Sequence, residues 1–102
     1  MFQIGEKSYE LKYGIGRVKL IESAAGSPIM SALANSKGML SLSMLENCFS
    51  YGLKESGSDV YVPPKAAREC FEQYLTENGY ANTVTLVLEN LERDCPFFFR
   101  AD

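Results

Sequence analysis

The stretch that most limits how this chain can fold is SYELKY, near its start. Tyr9, Leu11 and Tyr13 fall on one side, and Ser8, Glu10 and Lys12 on the other. This two-residue period belongs to a strand with one covered and one wetted face. FQI precedes it across the short connection Gly5-Glu6-Lys7. Gly5 can take the positive φ of a tight reversal, so residues 1–13 read as a β-hairpin. Two strands alone are marginal in water. Helices, or another protein, must therefore cover Tyr9, Leu11 and Tyr13.

The remainder reads as helical. Ile15, Val18 and Ile21 or Glu22, with Leu20 and Ala25 nearby, give a first helix stopped by Gly26. Gly14 and Gly16 let the chain turn out of the strand, and their GIG spacing matches neither a phosphate loop nor a dinucleotide fingerprint. Ser27-Pro28 opens a short second helix that closes at Gly38. Leu42, Leu45, Phe49 and Leu53 mark a third, from about 41 to 54, capped by Ser41 or Ser43. ESGSDVYVPP is a loop with a brief extended piece. Its prolines launch a fourth helix with the stripe Ala67, Cys70, Phe71, Tyr74 and Leu75, ending at Asn78-Gly79. Asn82 can cap a fifth, carrying Val84, Val87, Leu88 and Leu91, which Pro96 stops. The expected fold class is α+β in one domain: a hairpin (1–13), a compact bundle of four or five helices (14–95) and a C-terminal tail (96–102). The expected core is Leu45, Phe49, Phe71, Tyr74, Leu75, Val84, Leu88 and Leu91.

The chain offers little catalytic chemistry. It has no histidine, which removes Ser-His-Asp and Cys-His arrangements within the chain and any site ligated by histidine. Cys48, Cys70 and Cys95 are widely spaced, form no CxxC and lie on or beside apolar stripes, where thiols behave as small hydrophobes. An odd count does not complete a disulfide framework. Glu89 and Arg93 are placed to pair across a helical turn. No enzyme activity, cofactor or metal is expected. Ten basic against thirteen acidic residues give a formal charge of −3, with no basic run to follow a phosphate backbone. The second and third helices can be drawn as a helix-turn-helix, but only Asn47 and Lys54 would then serve as readers of bases or phosphates. The start of the chain shows no secretion signal, and no apolar run is long enough to span a membrane.

Aromatic content is the unusual quantity. Six tyrosines and six phenylalanines make up 12% of the chain. Phe97, Phe98 and Phe99 stand together after Pro96. In an extended segment they cannot all point into one core, and exposed aromatics often mark contact surfaces. Candidate protein-contact residues are Tyr9, Leu11, Tyr13, Tyr51, Phe97, Phe98 and Phe99.

The opening FQIGEKSYELKYGIGRVKLIE, with MLSLSMLENCFSYGLKES and PPKAARECFEQYLTENGY, resembles the tail assembly chaperones of long-tailed siphophages and related prophages. The likeness is carried by a YxLKYG segment at Tyr9, Leu11, Lys12, Tyr13 and Gly14, followed by a helix through Ile15, Val18 and Ile21. It implies a small, mainly helical, non-catalytic protein that binds the tape measure protein and recruits tail tube subunits. It also implies work in the bacterial host cytoplasm and absence from the finished virion. The hairpin could close one end of the bundle with Tyr9, Leu11 and Tyr13 inward, or accept a partner strand at its free edge. A homo-oligomer is a further expectation, because so short a chain offers little groove area alone. The competing readings are a small nucleic-acid-associated regulator and a generic interaction adaptor of a prophage.

Overall fold

A computed structural model describes residues 1–99. The last three positions of the expected tail, 100–102, lie outside the described residues. The element order is β1 (Phe2–Ile4), β2 (Lys7–Leu11), α1 (Ile15–Ala25), α2 (Ile29–Ser36), α3 (Leu42–Gly52), β3 (Leu53–Glu55), α4 (Pro64–Asn78) and α5 (Tyr80–Asp94), followed by a 3₁₀ turn over Pro96–Phe98. The protein is a small α+β domain in which an antiparallel sheet closes one side of a five-helix bundle.

The hairpin forms as its alternation dictates. Gly5 has φ 63° in the turn between Ile4 and Lys7, and positive φ at the first turn position suits the twist of a two-residue hairpin. Tyr9, Leu11 and Tyr13 are buried, while Ser8, Glu10 and Lys12 are half-buried on the other side.

The sheet has a third strand that spacing alone assigns to a helix. Leu53 continues the four-residue rhythm of Leu45 and Phe49, so the third helix was expected to reach about residue 54. The helix instead ends at Gly52, and Leu53–Glu55 pairs antiparallel with β2, Leu53 opposite Leu11 and Glu55 opposite Tyr9. Leu53 is wholly buried. A side chain pointing into the same core satisfies either assignment, and the backbone pairing with β2 decides between them. Beyond β3, the Val62 N–H donates to the Leu53 carbonyl at 2.9 Å and Tyr61 bridges Lys54. The expected extended piece of the loop thus covers this sheet edge. The outer side of β1 makes no backbone hydrogen bond beyond β2 among the described residues.

Helix α3 lies at the centre, against α1, α4, α5 and β2. Of the expected core, Leu45, Phe49, Phe71, Val84 and Leu91 are buried, whereas Tyr74, Leu75 and Leu88 are half-buried at its margin. Phe49 joins the layers, with its ring centroid 5.9 Å from Phe2, 5.6 Å from Phe71 and 5.6 Å from Tyr74. These separations fall in the favourable range for aromatic pairs. Buried aromatic area at this junction fixes β1 to α3 and α4 at once.

The helix ends show where local signals act. Gly26 takes a left-handed conformation (φ 75°) after α1 and donates to the Glu22 carbonyl. Ser41 caps α3 by accepting from the Met44 N–H at 3.1 Å. Ser27 does not cap α2; the Ile29 N–H donates to a Glu22 carboxylate oxygen at 2.8 Å instead. Helix α5 begins at Tyr80, before the expected cap Asn82, whose amide bonds back to the Asn78 carbonyl. Gly14 and Gly16 need no positive φ, and an added Cβ would meet nothing within 4 Å. Their presence is therefore not explained by the turn. Ile15, Leu20 and Leu42, expected on buried stripes, are exposed. Helices α1 and α3 each bury a narrower face than their apolar residues span.

Candidate protein-docking site

The seven candidate contact residues fall in three separate places. Tyr9, Leu11 and Tyr13 belong to the core, with 8%, 0% and 0% of their surface exposed. Their faces hold the sheet on the helices, which matches the closing role expected for the hairpin, and only Tyr9 keeps a small exposed area. Tyr51 is half-buried at the end of α3, and Phe97, Phe98 and Phe99 lie past α5.

Tyr13 anchors a polar latch. Its hydroxyl donates to the Cys48 carbonyl at 2.7 Å, and its N–H donates to an Asp94 carboxylate oxygen at 2.8 Å. Arg93 grips the same carboxylate through Nε and Nη2, each at 2.7 Å, and donates to the Leu11 carbonyl at 2.6 Å. The expected Glu89–Arg93 pair is not formed, because Arg93 is already committed to Asp94, Asn90 and Leu11. Gly52 makes room for Tyr13: a Cβ there would stand 2.5 Å from the ring. Burial raises the Tyr13 phenol well above its usual range. The Arg93 hydrogen bond, with help from the Tyr13 N–H, holds Asp94 below its usual range despite partial burial. Each polar group in the latch has a structural partner, so it fastens β2 to the end of α5.

The surface beside this latch is organised by Val60–Pro63, which forms a ridge between two concavities. One is a hollow of about 290 Å³ under the sheet, reached by Lys7, Tyr9 and Cys70. Cys70 Sγ lies 3.8 Å from the Tyr9 hydroxyl, and the phenol is pushed up to about 12, first by burial and then by Cys70. The other concavity is an open groove of about 560 Å³ between α1, the end of α3 and the ridge. Leu20 and Val60 stand 45% and 71% exposed in it. Tyr51 and Tyr61 line it, with Pro63 and Pro64 extending the apolar wall where α4 begins. The Tyr61 hydroxyl donates to the Lys12 carbonyl at 3.1 Å, tying the ridge to β2. Burial raises the Tyr61 phenol, with Arg17 pulling the other way. Of the residues expected for contact, only Tyr51 lines this groove.

Arg17, Leu20, Val60 and Tyr61 were not among the expected contact residues, and Leu20 was expected on the buried side of the first helix. The available signal was modest: Arg17 and Leu20 are one turn apart on α1, and DVYVPP places valines and a tyrosine among turn formers. The Phe triplet resolves through local geometry. It lies in a 3₁₀ turn and its exit, where successive side chains diverge, rather than in an extended segment. Phe98 packs on the core, while Phe97 and Phe99 remain 52% and 39% exposed.

Cys48, Cys70 and Cys95 are free thiols, and burial pushes Cys48 up to about 12. Among the described residues, no three His, Cys, Asp or Glu side chains gather as a cation cluster, and no helix is long and apolar enough to cross a membrane. Lys54, a candidate reader on the third helix, belongs to β3 and lies 5.3 Å from the Tyr61 ring centroid. No protein-family model matches the chain, nor does any curated protein or solved structure.

Proposed function

We propose that this protein is a non-catalytic assembly chaperone for long phage tails, binding apolar segments of the tape measure protein, the tail tube protein or both. The YELKYG segment leading into α1 carries this reading. The groove supports it: Leu20 and Val60 are exposed beside Tyr51, Tyr61 and two prolines, so apolar surface is concentrated rather than scattered. Such a site captures a partner by burying area and releases it without covalent chemistry. The protein would act in the bacterial cytoplasm and leave before the tail is complete.

Co-expression with each tail protein tests the reading. The tape measure protein should gain soluble yield and elute with this chain. If neither tail protein binds at micromolar concentration or changes solubility, the reading falls. Salt-sensitive retention of DNA would favour a nucleic-acid regulator instead.

A further inference from the structure

Arg17 gives the groove a chemical preference. It enters from α1 one turn before Leu20 and is held by two contacts. Its Nε donates to the Tyr51 carbonyl at 2.8 Å, near the end of α3. Its guanidinium carbon lies 3.7 Å from the centroid of the Tyr61 ring. These contacts use one edge and one face of the group. Among the described residues, its terminal nitrogens have no hydrogen-bond or carboxylate partner. A guanidinium is a planar fork of N–H donors that matches a carboxylate in a bidentate pair. Here the fork is already oriented, so docking sacrifices less side-chain freedom than ordering a free arginine would.

We infer that the groove takes an apolar peptide segment carrying one carboxylate, which Arg17 holds while neighbouring aliphatic or aromatic side chains lie against Leu20, Val60 and Pro63. Charge complementarity selects this occupant. Asp59 also lines the groove and has no cationic partner among the described residues, so it opposes a run of acids. A nucleic acid needs several cations along its phosphates; here Arg17 shares the groove with an opposing carboxylate. The inference rests on the proposed function only for the partner's identity, a segment of a tail protein. The ligand chemistry follows from the groove itself.

A library of random peptides panned on the purified full-length protein tests this directly. The enriched peptides should share an Asp or Glu flanked by large apolar residues. Changing that acid to its amide in the best peptide should weaken binding about tenfold, the scale of one charge-assisted hydrogen-bonding pair. The loss should vanish on Arg17→Leu, which still binds the apolar part. Val60→Ser, at a position 71% exposed, should weaken both peptides without altering the fold. In an amide NMR spectrum, the peptide should shift Leu20, Tyr51 and Tyr61.

Failure to enrich any peptide, an acid-free consensus, or shifts confined to another surface would overturn the inference. So would an undiminished acid preference in folded Arg17→Leu. If that variant does not fold, the acid-to-amide comparison on the unaltered protein decides. Acid-dependent peptides combined with indifferent tail proteins would remove the tail assignment alone. Tail proteins that bind without needing Arg17 would likewise remove only their assignment to this groove.

Discussion

Tyr13 and Tyr61 each donate a hydroxyl to a backbone carbonyl, in opposite circumstances. Tyr13 is wholly buried, bonded through its hydroxyl to Cys48 and through its N–H to Asp94. Tyr61 is half-exposed, bonds to the carbonyl of neighbouring Lys12, and spreads its ring beneath Arg17. The first tyrosine spends its contacts on the fold. The second leaves a ring and an oriented cation at the surface. The difference separates a part of the molecule that must be rigid from a part that can meet a partner.

The largest test of that separation is Tyr13→Ala. It opens a cavity among the sheet, α3 and α5, and large aromatic-to-alanine changes in cores cost about 3–5 kcal/mol. Equilibrium unfolding in urea should show a loss of that size. A loss below about 1 kcal/mol would mean that Tyr13 is not the fastening point its burial indicates.

Gly52→Ala attacks the same contact from the other side. The new Cβ would stand 2.5 Å from the Tyr13 ring, so either the ring or the end of α3 must move. Overpacking of this kind costs about 1–3 kcal/mol. The double change Gly52→Ala with Tyr13→Ala should cost less than the two single losses added together, because the shorter side chain frees the space. Strict additivity would show that Gly52 is needed for something else.

Asp94 tests the electrostatic part of the latch. Its carboxyl is held low chiefly by the Arg93 hydrogen bond, with the Tyr13 N–H and the Arg93 and Lys12 charges acting the same way against desolvation. A lowered folded value contributes stability that is complete above the unfolded carboxyl pKa of about 3.9 and disappears as pH falls through the folded value. Asp94→Asn should cost about 1 kcal/mol at neutral pH, a modest figure because Arg93 is partly exposed and the pair is screened. The variant should also lose less stability than the parent on acidification below about pH 4. Parallel acid curves would remove Asp94 from the latch.

These contrasts also show what the sequence makes legible. The alternation of Tyr9, Leu11 and Tyr13 announces its buried face, because each side of a strand is sampled at every second residue. The stripes of α4 and α5 are almost as plain. Leu53 is not, since one leucine spaced from Phe49 fits both another helical turn and the start of a strand. Its strand role requires β2, which is distant in sequence. Ile15, Leu20 and Leu42 are apolar like their buried neighbours, and only tertiary packing decides which of them remains outside. The groove is harder still. Arg17 and Tyr61 become a pair only when α1 and the loop before α4 are brought together, and neither segment has a motif that foretells it. The Phe triplet was visible, but its split between packed Phe98 and exposed Phe97 and Phe99 depends on a 3₁₀ turn rather than a strand.

Tyr61→Phe is the smallest change and the sharpest on the groove side. It deletes one hydroxyl, whose bond to the Lys12 carbonyl is 3.1 Å long and partly accessible to water. Water can replace such a partner, so the expected loss is about 0.5 kcal/mol, at the low end for a hydrogen bond. For a domain of this size that is a melting shift of about 2–4 °C. The ring remains, and a phenyl face still attracts a guanidinium. Arg17 should therefore keep its pose through the retained ring and the Tyr51 carbonyl. Acid-bearing peptides should bind Tyr61→Phe nearly as they bind the parent. Tyr61→Leu removes the aromatic face and should reduce the preference for an acid over its amide. If Tyr61→Phe destabilises the protein as much as Tyr13→Ala does, the ridge is part of the rigid fold and the contrast between the two tyrosines collapses. If both Tyr61 variants keep the full acid preference, the Tyr51 carbonyl alone orients Arg17 and the ring is only its cover.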